Sequence, residues 1–86
     1  MVFNLSGIVK ILVQYVSDLL KMVAPEDITP DAIRGIQSAY ALGKIWGEPL
    51  VESSANDLDN AVLAELLEVC TLAAEKYGFV LDPQQL

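Results

Sequence analysis

The side chains of this 86-residue chain that could do chemistry are few, and most are carboxylates. Histidine is absent, which removes the group that most often moves protons near neutral pH. Cysteine occurs once, at Cys70, so neither an internal disulfide nor a cysteine zinc site can form. A reactive thiol needs an adjacent base, and without histidine Cys70 reads as a small buried hydrophobe on an apolar helix face. A chain with one such thiol suits a reducing compartment. Asp57 and Asp59 stand at the start of a helix, where they complement its positive end before they suggest a metal. The D-x-[DN]-x-[DN]-G spacing of a calcium loop is missing. Glu65, Glu68 and Glu75 share one helix face and read either as a solvated surface or as a partner-facing acidic stripe. No glycine-rich phosphate loop follows a strand, and no nucleophile has an evident base. The expectation is a non-enzyme with no catalytic residues, no cofactor and no metal.

The charge is unevenly placed. The net value is −7. In residues 1–44, Asp18, Glu26, Asp27 and Asp31 balance Lys10, Lys21, Arg34 and Lys44; residues 45–86 hold eight acids against Lys76 alone. Direct binding to nucleic acid is disfavoured, because affinity for a duplex is built on neutralising phosphates. A basic protein partner is permitted. Small acidic helical carrier proteins are similar in size and charge. Their carrier serine follows an aspartate at a helix start, however, and this chain reads "NDLDN" there, which excludes that reading.

Three amphipathic helices account for most of the chain, near residues 4–23, 30–46 and 56–77. In the first, Leu5, Val9, Leu12, Val16, Leu19 and Val23 alternate steps of four and three, a heptad seam. Ile8, Ile11, Val13, Tyr15, Leu20 and Met22 surround it. The polar residues Ser6, Lys10, Gln14, Ser17, Asp18 and Lys21 collapse onto an arc of about 120° at roughly 100° per residue. Two-thirds of the circumference is therefore apolar, more than a surface helix needs.

Pro25 ends that helix by disfavouring α geometry at Ala24. Thr29 then reads as an N-cap, Pro30 as N1 and Asp31 as a dipole complement, with Ile28 and Ile33 placed for a hydrophobic staple. In the second helix Gly35, Ala39, Gly43 and Gly47 stand four residues apart. Glycine costs about 1 kcal/mol against alanine inside a helix, so the stripe implies close contact, within the chain or between subunits. "GEPLVESSAND" is a loop, and Asn56 or Ser54 caps the third helix. Leu58, Val62, Leu63, Leu66, Leu67, Val69, Cys70, Ala73, Ala74 and Tyr77 share one half of that helix. Gly78 supplies a left-handed C-terminal residue, and Phe79 closes onto Ala74. Residues 79–86 follow as a tail.

The fold class is accordingly all-α: a small three-helix bundle with antiparallel neighbours, occupying residues 1–86 as one domain, with room for short extra helical turns. Its core should draw on Leu12, Val16, Leu19, Ile36, Tyr40, Leu66, Val69 and Ala73. Apolar residues make up 53% of the chain. A domain this small buries only roughly 60–65% of its unfolded surface, so some apolar area should be covered by another molecule. A membrane span is a poor candidate for that cover. The twelve apolar residues of the first helix each gain about 0.3–0.6 kcal/mol in a bilayer, but Lys10 and Asp18 each lose about 2.5–3.5.

The functional expectation is an assembly or adaptor subunit, a homo-oligomer or part of a complex. It would dock on itself or on a larger protein scaffold through helices one and two, with Leu5, Val9, Leu12, Val16, Gly35, Ala39, Gly43 and Trp46 as helix-packing interface residues. A small structural piece of a viral particle or another multi-subunit shell belongs to this class. The alternative is an acidic inhibitor whose Glu65, Glu68 and Glu75 occupy a basic groove on a target, one that could bind nucleic acid. No secretory signal is evident, because a basic n-region is missing and Lys10 interrupts the first apolar run. The expected location is the cytoplasm or a particle assembled there.

Overall fold

The computed structural model describes residues 5–47 and 60–81. Three α-helices account for most of them: α1 (Leu5–Met22), α2 (Pro30–Leu42) and α3 (Asn60–Tyr77). A short 3-10 turn, Pro25–Asp27, joins α1 to α2, and a π-helical turn, Gly43–Gly47, continues α2. Among the described residues there is no strand, so the chain forms the all-α bundle that its periodicity implies. The loop after Gly47 and the cap at Ser54 or Asn56 lie outside the described residues, as do Asp57 and Asp59.

The helix ends are written locally. Thr29 is extended (φ −91°, ψ 154°), and its hydroxyl accepts from the Ala32 backbone N–H at 3.1 Å; Pro30 opens the helix behind it. Ile28 and Ile33 are both half-buried. At the other end of the chain, Gly78 adopts φ +72°, a conformation that costs a residue with a Cβ about 1 kcal/mol. That bend lets the N–H groups of Gly78 and Phe79 both donate to the Ala74 carbonyl, at 2.9 and 3.2 Å.

Helix two differs from the uninterrupted α-helix expected to Trp46. Its α geometry stops at Leu42, and Gly43–Gly47 forms a wider π turn. At the junction the Gly43 N–H is shared between the Ala39 and Tyr40 carbonyls.

Helix α3 is the hub: it packs along both α1 and α2, while α1 and α2 touch each other far less. Gly43 faces Leu63, Leu66 and Leu67, whereas the Cys70 thiol approaches the Ile36 carbonyl at 3.8 Å and Gln37 donates to Val80 at 2.9 Å. Contacts thus advance along α3 as they retreat along α2. The central cluster of the core is Val13, Val16, Ile36, Ala39, Leu66, Cys70 and Ala73, and Ala32, Ala41, Val62 and Leu63 are buried as well. Of the residues expected there, Val16, Ile36, Leu66 and Ala73 are buried, and Leu12, Leu19, Tyr40 and Val69 pack half-buried around them. Val13 joins because the buried side of α1 also follows Val9, Val13, Val16 and Leu20, one shoulder of the heptad seam.

The C-terminal end of α1 is closed by α3. A helix leaves its last carbonyls short of helical partners; Leu19 still accepts from the Val23 N–H at 2.9 Å, and two α3 side chains add donors at Leu19, at Leu20 and, one residue past the helix, at Val23. The Tyr77 hydroxyl lies 2.6 Å from the Leu19 carbonyl and 2.8 Å from that of Val23, its one proton shared between them. Lys76 donates to Leu20 at 2.5 Å, bringing a cation to the negative end of the α1 dipole. Desolvation pushes the Tyr77 hydroxyl above its ordinary range, so it stays a donor. Phe79 and Leu81 pack against the core.

Candidate interaction site

Most residues expected at a helix-packing interface are used inside the chain. Val16 and Ala39 are buried, and Val9 and Leu12 lie half-buried against the core. Gly43 is buried, its absent Cβ 3.0 Å from Leu67 Cδ2. Gly35 is exposed, and a Cβ there would stand 3.8 Å from the Tyr15 hydroxyl. The small-residue stripe therefore serves two different neighbours: α3 at Gly43 and the Tyr15 ring of α1 at Gly35. The side chains of Leu5 and Trp46 lie outside the described residues.

What α1 leaves uncovered is its other apolar side. Ile8, Ile11, Tyr15 and Met22 are 56, 70, 45 and 81% exposed. Their spacing of three, four and seven places them within about 60° of one another around the helix axis. Asp18 borders this stripe and accepts from the Gln14 side chain at 2.7 Å. Tyr15, Asp18, Leu19, Met22 and Val23 line an open, chiefly apolar groove of about 230 Å³. On α2 and its π turn, Leu42 and Ile45 are 43 and 40% exposed. These stripe residues were visible in the sequence as part of the apolar two-thirds of α1. Periodicity alone does not say which side of that arc meets the chain's own core, and the regular heptad seam follows the side that is buried.

The acidic face is arranged differently. Glu65, Glu68 and Glu75 are all exposed on α3, with Leu72, 47% exposed, among them. Among the described residues no group of three metal-binding side chains converges, and no helix is long and apolar enough to cross a membrane.

Cys70 is fully buried, and desolvation pushes its thiol up to about 11 from 9.0. The folded state holds the proton more tightly than the unfolded state. The associated stability is therefore complete below pH 9 and is lost as pH rises from 9 towards 11. Below that window a thiol reagent should modify Cys70 only through unfolding, far more slowly in native buffer than in urea. Equal rates would show that the thiol is open to solvent.

In comparisons with known proteins, no family model, no characterised protein and no solved structure matches this chain. Its function must be read from its surfaces.

Proposed function

We propose that the chain is a non-enzymatic assembly or docking subunit whose exposed α1 face seats against another protein surface. One observation carries the reading. After the chain has built its own core, Ile8, Ile11, Tyr15 and Met22 remain uncovered in a single row. Isolated exposed apolar residues are ordinary, but a contiguous row of large ones marks an interaction site. A second reading, an acidic inhibitor, is supported by the exposure of Glu65, Glu68 and Glu75 on one face of α3.

One experiment separates the two. In an extract of the cells that make it, the protein should elute in size-exclusion chromatography well above its own 9.3 kDa. Ile11→Glu should release it to its own mass, and replacing Glu65, Glu68 and Glu75 together by Gln should leave the complex intact. The complex should also survive sodium chloride and tighten in sulfate, because excluded salts favour apolar burial while screening weakens exposed charge pairs. The reverse pattern, loss with the triple Gln variant and with salt, moves the assignment to the inhibitor. A complex indifferent to Ile11→Glu rejects docking through α1.

A further inference from the structure

We infer that the occupant of the α1 face is a second copy of this chain, joined through α1 about a two-fold axis near Tyr15. This inference rests on the docking reading and names its partner.

Area is the first support. A large side chain presents on the order of 150–200 Å² when fully exposed. At their observed exposures, Ile8, Ile11, Tyr15 and Met22 together offer on the order of 500 Å². Two such faces come to roughly 1,000 Å², the threshold for a specific interface. A copy of the same stripe is the partner whose apolar extent matches it by construction.

Charge is the second. Two chains of net −7 repel unless they meet through a surface that does not carry the excess. Residues 1–44 sum to zero, and the excess belongs to residues 45–86. On α1 Lys10 and Lys21 lie on the polar arc away from the stripe, and Asp18 at its edge, hydrogen-bonded by Gln14, is the one charge each copy brings to the face.

Shape is the third. Ile8 and Met22 each stand seven residues from Tyr15. With the two α1 helices running in opposite senses about Tyr15, the protruding Ile8 and Ile11 of one copy fall against the groove that Tyr15, Leu19, Met22 and Val23 line on the other, with Asp18 at its rim, and the relation is mutual. The same patch serves both copies, so the pair closes and does not extend into a filament.

The test is sedimentation equilibrium of the purified chain from low to high micromolar concentration. The wild type should double in mass. Ile11→Glu, on the protruding half, and Met22→Glu, on the groove half, should each raise the dissociation constant at least about tenfold, since a charge in a small apolar interface is left without a partner. Both positions are exposed, so circular dichroism should show unchanged helix content, and Leu72→Glu, on α3, should leave the dimer as it is. A wild type that is monomeric throughout overturns the inference, as does a dimer that neither α1 substitution weakens. A monomer whose larger complex in extract still depends on Ile11 overturns the second copy and leaves docking through α1 standing.

Discussion

Leu66→Ala should lower the free energy of unfolding by about 2–5 kcal/mol, the range for emptying a fully buried leucine site. Leu66 is 1% exposed and lies on α3, the helix that both others pack upon. Its Cδ2 stands 3.6 Å from the place a Cβ would take at Gly43, and it belongs to the cluster with Val16 and Ile36. Truncation opens a cavity between all three helices, where no single element can shift to close it without leaving another contact. A chain of this length has roughly 4–13 kcal/mol of stability in total, so the loss should be a sizeable fraction of it and readable as a clear fall in the unfolding midpoint. Urea titration followed by circular dichroism measures the loss. Leu72→Ala, at an exposed position on the same helix, should change stability by about 0.5 kcal/mol or less. Comparable losses at the two positions would mean that α3 is not the hub.

The start of α2, the end of α3 and the all-α class were legible in the sequence because each rests on short-range chemistry. Thr29, Pro30 and Asp31 begin α2 through one hydroxyl, one fixed φ and one charge, all within a single turn. Gly78 ends α3 through a backbone angle that other residues resist. Burial was legible only where the pattern left no choice, as at Ile36 and Leu66. On α1 the apolar arc is too wide for periodicity to choose a side: Val9, Leu12 and Val16 face the core, while Ile8, Ile11 and Tyr15, on the same helix and equally apolar, do not. That choice is made by where α3 lies, which is tertiary information. The contacts of Tyr77 and Lys76 with the carbonyls of α1 are equally long-range. An aromatic at the end of an amphipathic stripe signals burial and gives no sign of a cap on a helix more than 50 residues away.

The glycines of α2 provide the sharpest case, because identical residues on one stripe should respond differently. At Gly35 a Cβ would meet the Tyr15 ring at 3.8–3.9 Å, an ordinary contact at an exposed position. Gly35→Ala should therefore stabilise by about 0.4–1 kcal/mol, through helix propensity and a less mobile unfolded chain. At Gly43 the same atom would stand 3.0 Å from Leu67 Cδ2, 3.5 Å from Leu63 Cδ1 and 3.6 Å from Leu66 Cδ2. The backbone there is ordinary helix (φ −62°, ψ −41°), so crowding is the whole obstacle. The tightest neighbour is the far end of a half-buried leucine, which can yield by a few tenths of an ångström. The propensity gain and the crowding should then nearly cancel for Gly43→Ala, giving a change within about 0.5 kcal/mol. Leucine cannot be absorbed in that way. Gly43→Leu drives a branched side chain into three leucines that already fill the space, and should cost about 1–3 kcal/mol as α2 and α3 are pushed apart. Thermal and urea unfolding of the three variants gives the order Gly35→Ala, then Gly43→Ala close to wild type, then Gly43→Leu well below it. If leucine at position 43 leaves stability unchanged, then α2 does not lie against α3 there, and the close approach assigned to this glycine is wrong.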